Sequence, residues 1–138
     1  MTKPVIQKAI TINASPEEVW RVFTDPHITR QLGGEYVTEW KIGSSFGWKA
    51  LDGKMYTNGT ILKLEPQKLL EHNLFNEGDK TVKSVITYKF ENNNGSTNLL
   101  AWENINHDMT QQEFQETNTG WDIALTAVKE AAEKLYSS

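Results

Sequence analysis

Residues 12–26 read INASPEEVWRVFTDP, and the fold assignment starts from this stretch. Ser15 is a residue type that caps a helix, and Pro16 suits the first helical position because it has no N–H to satisfy there. Glu18 stands three residues past the cap, where its carboxylate can reach back and close a capping box. Val19, Trp20, Val22 and Phe23 then form one apolar stripe along a short helix. Asp25-Pro26 breaks that helix and starts a second short one running to about Leu32, where Gly33-Gly34 stops it.

The flanks read differently. Upstream, residues 4–12 alternate, with Ile6, Ile10 and Ile12 on one side, which predicts a strand. Downstream, residues 35 to about 105 read as strands and turns. Tyr36, Thr38 and Trp40 alternate with Glu35, Val37 and Glu39, and Lys41-Ile42-Gly43 turns into Phe46 and Trp48. Leu51-Asp52-Gly53-Lys54 is a turn. Strands follow at 55–65, 68–76, 81–91 and 96–105, with Asn92-Asn93-Asn94-Gly95 as the last hairpin turn. From Thr110 to Tyr136 the period becomes helical, with Phe114, Trp121, Leu125, Val128, Ala132 and Leu135 at three- and four-residue steps. Gly120 interrupts this helix, and its missing side chain predicts a close approach of the sheet or of a ligand.

The order is strand, two short helices, six strands and a long helix. Short turns between successive strands imply an antiparallel meander. The expected class is α+β: a curved antiparallel sheet of about seven strands wrapped around a long C-terminal helix, with two short helices between the first and second strands. One domain accounts for residues 1–138, since 138 residues suffice for one core.

Composition excludes several function classes. The chain has no cysteine, which removes disulfides, thiolate metal sites and a cysteine nucleophile. Its formal charge of −4 argues against broad nucleic-acid binding. No apolar segment is long enough to cross a membrane, and the N-terminal residues alternate rather than forming a signal-peptide core. The expectation is a cytoplasmic protein with neither nucleic acid nor membrane as partner.

Several motifs taken in order resemble a known family. Ile12-Asn13-Ala14-Ser15-Pro16-Glu17-Glu18-Val19-Trp20 is similar to its opening, and Thr24-Asp25-Pro26 to the break that follows. Ile42-Gly43 with Phe46 resembles its Pro-Gly-x-x-Phe element. Residues 59–66, GTILKLEP, resemble its Gly-x-Val-x-x-Ile-x-Pro strand, and Gly120-Trp121 with Leu125 resembles the Gly-Trp start of its final helix. The superfamily is the START-related one (SRPBCC, Bet-v-like or polyketide cyclase-like). Within it, the match is best to the family named after the activator of Hsp90 ATPase homologue. That family often carries Trp where this chain has Leu32-Gly33-Gly34. The resemblance implies a helix-grip fold that usually encloses an apolar pocket between sheet and long helix. It implies no single reaction, since the superfamily hosts carriers, cyclases and co-chaperone domains.

Alternation then assigns the pocket walls. Lys63 and Glu65 outward place Thr60, Leu62 and Leu64 inward. Glu71 outward places Leu70, His72 and Leu74 inward. Lys83 and Lys89 outward place Ser84, Ile86, Tyr88 and Phe90 inward. In 96–105 both faces are apolar, and Leu100 and Trp102 are taken as inward. Tyr36, Trp40, Phe46 and Trp48 complete the strand rows, and Phe114, Trp121 and Leu125 face them from the helix. Rings with a few polar tips suit a small apolar or aromatic molecule, lipid-like, polyketide-like or flavonoid-like. The same rows also suit a filled core.

Chemistry is sparse. His72 is read chiefly as hydrogen bonded to a neighbouring strand or to Tyr88, or else as an acid–base or ligand-binding group. His27 is read as exposed. His107, Asp108 and Glu103 lack metal-ligand spacing, and no Gly-x-Ser-x-Gly, Gly-x-Gly-x-x-Gly or Walker loop is present. No catalytic residue, metal or cofactor is assigned. The expected function is small-ligand binding. The alternatives are a co-chaperone or stress-response interaction domain, and a cyclase or hydrolase in the same cavity. Co-chaperone activity in the family depends partly on a separate N-terminal domain, and this chain begins directly at the fold.

Overall fold

A computed structural model describes residues 3–137, with the side chains of the final helix described as far as Leu135. Strand β1 (Val5–Ile12) leads to helices α1 (Pro16–Thr24) and α2 (Pro26–Thr29) and a 3₁₀ turn at Arg30–Leu32. Six strands follow: β2 (Gly34–Thr38), β3 (Ser45–Ala50), β4 (Met55–Glu65), β5 (Leu69–Phe75), β6 (Val82–Asn93) and β7 (Ser96–Ile105). Helix α3 (Gln111–Ser137) ends the described chain. All pairings are antiparallel, in one seven-stranded sheet ordered β1-β7-β6-β5-β4-β3-β2. The fold is the expected α+β one.

The local chemistry is as read. The Ser15 hydroxyl accepts the Glu18 N–H, and the Glu18 carboxylate accepts the Ser15 N–H, closing the capping box. Asp25 caps α2 by accepting the His27 N–H at 3.0 Å. Gly33 adopts φ 108° at the end of the 3₁₀ turn. Gly34 has no room for a side chain, because a Cβ there would meet the Lys49 carbonyl and the Trp48 indole. Gly34 thus lets β2 lie tightly on β3.

Helix α3 packs on α1 and β1. Lys129 and Glu133 hold it there. The Lys129 ammonium donates to the Thr11 carbonyl at 2.7 Å and to Glu133 at 2.8 Å, and Glu133 accepts the Asn13 N–H at 2.8 Å. At the other end, Thr110 and Glu113 cap the helix reciprocally. Between them the core joins β1 (Ile6, Ile12), α1 (Val19, Val22, Phe23), the inner rows of β5 to β7, and Trp121, Leu125 and Ala132 of α3.

Four inward assignments are corrected, those of Thr60, Leu62, Leu100 and Trp102. The β4–β5 register shifts between Ile61 and Lys63, so one extra residue flips the parity of β4. Ile61 is fully buried, and Leu62 is 37% exposed on the bulge; Thr60 falls on the outward side with it. In β7 the buried set is Thr97, Leu99, Ala101, Glu103 and Ile105. Leu100 and Trp102 are on the outer face, where the Lys89 ammonium lies 5.5 Å from the Trp102 ring centroid. Gly120 is exposed, and a Cβ added there would meet nothing within 4 Å, so neither sheet nor side chain presses on it.

Candidate functional site

The concave face of the sheet carries a continuous ring cluster. Phe23 of α1 meets Tyr88 at 4.9 Å and Phe90 at 5.3 Å edge to face, and lies parallel to Tyr36 at 6.3 Å. Tyr36 stacks on Phe46 at 4.8 Å and meets Trp48 edge-on at 4.9 Å. Phe46 covers the His72 imidazole at 4.2 Å. Trp40 reaches Tyr36, Phe46 and Trp20 with ring centroids about 6 Å apart. It does so from the turn after β2, at φ 55°, and not from the strand row to which alternation assigned it.

His72 is 3% exposed. Its Nδ1–H donates to the Asn73 carbonyl at 3.0 Å, which fixes the tautomer and leaves Nε2 unprotonated. Burial pushes its pKa down to about 4, against a smaller upward pull from that carbonyl. Burial pushes the Tyr36 phenol up to about 12, offset in part by its hydrogen bond with Tyr88. Tyr88 is held well above the ordinary phenol range, first by burial and then by the neighbouring Tyr36 and Glu103. All three groups are therefore neutral at pH 7.

Sequence reasoning missed Glu103 as part of this cluster. Its carboxylate is buried beneath α3 and accepts the Trp121 indole N–H at 2.8 Å, while the Trp121 ring lies 5.8 Å from Tyr88. Taking Leu100 and Trp102 as inward turns Glu103 outward by parity, and its partner Trp121 lies eighteen residues away in the chain. The buried hydroxyls of Ser84 and Thr29 have no hydrogen-bond partner among the described residues.

Of the candidate site residues, Tyr36, Trp40, Phe46, His72, Tyr88 and Trp121 are joined by ring contacts, and Trp48 adjoins them. Leu74 and Phe114 pack against the core half-buried, and Ile86 and Leu125 lie within it. Leu62 and Trp102 are apart from the cluster. His107 is half-buried with its ring on the Asp108 carbonyl, and no group of three metal-ligating side chains occurs among the described residues. No described helix is long and apolar enough to cross a membrane.

The protein's own rings thus meet one another across the middle of the concave face. Tyr36, Trp40, Trp48, Leu74 and Phe114 remain half-buried around it. Two surface hollows lie elsewhere. One is an open groove of about 1240 Å³ along β4 and the β5–β6 hairpin; the other is a hollow of about 220 Å³ near Arg30 and Lys49, and no α3 residue lines either.

Known structures repeat this fold. A Cytophaga hutchinsonii protein, ChR145, aligns over 100% of both chains at 24% identity with a TM-score of 0.78. The Aha1 dimer from Colwellia psychrerythraea aligns over 94% of this chain and 96% of its own, at 21% identity and a TM-score of 0.76. CalU16 from Micromonospora echinospora aligns over 95% of this chain and 85% of its own, at 21% identity and a TM-score of 0.71. A search of curated proteins by sequence finds no match. The family model described as Activator of Hsp90 ATPase homolog 1-like protein matches residues 13–133, from the capping loop to the end of the α3 anchor, and the chain belongs to that family.

Proposed function

We propose that this protein binds a small, flat, largely apolar molecule on the concave face of its sheet, at the rim of the ring cluster. The observation that carries this reading is the half-buried state of Tyr36, Trp40 and Trp48 beside buried polar tips. Ring faces left partly in water offer a stacking surface. A polyketide-like or flavonoid-like skeleton has this character, with planar rings and one or two carbonyl or hydroxyl groups.

A catalytic reading has less support. His72 is covered by Phe46 and tied through Nδ1, so its imidazole serves the core rather than an incoming substrate. The paired phenols are neutral at pH 7 and are hydrogen-bond donors, not bases.

The test is an amide and indole NMR titration with naringenin, a chalcone and a medium-chain fatty acid. Saturable shifts are expected at Tyr36, Trp40 and Trp48 with one of the aromatic compounds. Trp48→Ala should weaken binding about tenfold or more, while Trp102→Ala on the outer face should leave it unchanged. No saturable binding to any of the three, or shifts centred on Trp102, would overturn the proposal.

A further inference from the structure

The sheet splits at β4. Residues Met55–Thr60 pair with β3, and pairing with β5 begins only at Ile61. Strand β5 runs on to Phe75 with β6 as its partner. The 1240 Å³ groove occupies the wedge between the diverging strands.

The split is fixed by two residues. The Asn73 side-chain carbonyl accepts the Thr60 N–H at 2.7 Å, taking the place of a strand partner. The Asn73 backbone carbonyl fills the space where a side chain on Gly59 would stand. Beyond this lock the β4 edge is open. Ile61 turns both its backbone groups towards β3: its N–H donates to the Ser44 carbonyl at 3.0 Å and its carbonyl accepts the Gly43 N–H at 2.8 Å. Alternation then turns residues 60 and 58 the other way. The N–H and C=O of Asn58 face the groove, where no strand meets them.

The lining is part apolar and carries a small excess of lysines. Lys54, Lys80 and Lys83 border the groove, and none forms an ion pair among the described residues. Glu77 and Asp79 also line it, Asp79 accepting the Thr81 N–H and hydroxyl, so the lysines outnumber the carboxylates by one. In a chain of net charge −4 this excess is opposite in sign to the whole. Met55 and Tyr56 stand exposed beside it.

We infer that this groove takes an extended acidic peptide segment of a partner protein, added as a strand to the open edge of β4. Main-chain bonds to Asn58 supply the docking. Acidic side chains on one face of the segment meet the lysines, and apolar ones on the other meet Met55 and Tyr56. The site is separate from the concave face, so the two proposals stand or fall independently.

The experiment titrates the full chain with a fluorescein-labelled hexapeptide of alternating Glu and Val, followed by anisotropy and amide NMR. Saturable binding is expected, with shifts at Asn58, Leu74 and Lys83. Because Lys80 and Lys83 are exposed, Lys80→Glu with Lys83→Glu should leave the fold intact and weaken binding at least tenfold, roughly. The same peptide N-methylated at its central amides keeps every side chain but cannot pair as a strand, and should not bind. Equal binding of the methylated peptide, an unaffected double variant, tighter binding of a thymidine hexanucleotide, or no saturable binding would each overturn the inference.

Discussion

Replacing His72 with Gln should change how stability depends on pH, and the size of the effect follows from the burial of the imidazole. In the folded protein the pKa of His72 is lowered from 6.5 to about 4. Between those values the unfolded chain binds a proton at this position and the folded chain does not. Stability therefore rises with pH across the window. The contribution of His72 is intact above pH 6.5 and is lost progressively as pH falls towards 4. At 1.36 kcal/mol per pH unit, the gap comes to roughly 3 kcal/mol. With the side chain 3% exposed, little solvent screening reduces it. The assay is urea unfolding of wild type and His72→Gln at pH 7.5, 6.5, 5.5 and 4.5. Carboxylates titrate in both proteins, so the difference between the two curves isolates His72. The variant is expected to be the less stable at pH 7.5, having lost the fit against Phe46. The gap should close by up to roughly 3 kcal/mol towards acid. Parallel pH profiles, or an NMR titration of His72 centred near 6.5, would refute the reasoning.

Other perturbations have equally definite outcomes. Trp121→Phe strands the buried Glu103 carboxylate and should cost about 2–4 kcal/mol, whereas in a Glu103→Gln background the same change should cost at least ~1 kcal/mol less; a calorimetric double-mutant cycle reads the coupling. Ser15→Ala removes the cap of α1 and should lower unfolding free energy by about 1 kcal/mol in a urea titration. Two glycine-to-alanine changes should have opposite signs in thermal melts. Gly120→Ala, which points into open space in a helix, should stabilise by about 0.5–1 kcal/mol, and Gly59→Ala, which meets the Asn73 backbone, should destabilise by at least ~2 kcal/mol.

Most of the architecture was legible because each element carries its own local chemistry. The Ser15–Glu18 box, the Asp25-Pro26 break and the three- and four-residue stripe of α3 act within a few residues of themselves, so one sequence suffices to read them. The faces of β5 and β6 were legible for the same reason, with a lysine or glutamate marking the wet side of each. Strands β4 and β7 defeated the same rule for two separate physical reasons. In β4 a bulge changes the parity midway, next to the contacts of the Asn73 carbonyls with Gly59 and Thr60, and Asn73 is thirteen or more residues away in the chain. In β7 a charged residue points inward because Trp121 on a distant helix supplies its hydrogen bond. Alternation counts charges as outward and has no means of seeing a partner that only the tertiary fold brings in.

Those two exceptions also divide the concave face into parts with different uses. Glu103 and Trp121 tie α3 down over Tyr88, and Phe46 seals His72 beside it, so the middle of the face is spent on holding sheet and helix together. A guest molecule placed there would have to displace rings already in edge and stacked contact, each such pair worth about 0.5–1.5 kcal/mol beyond the area it buries. At the rim no such cost arises. Tyr36, Trp40 and Trp48 already keep one side in water, and the tight seating of β2 on β3 through Gly34 holds that wall in place. Binding at the rim removes water from ring faces without undoing a contact the fold depends on. The same logic separates the outer groove, where the Asn73 lock satisfies Thr60 and leaves Asn58 open. The residues that make this fold rigid are therefore different from those that remain available to meet a second molecule, and substitutions in the two sets should separate stability from binding.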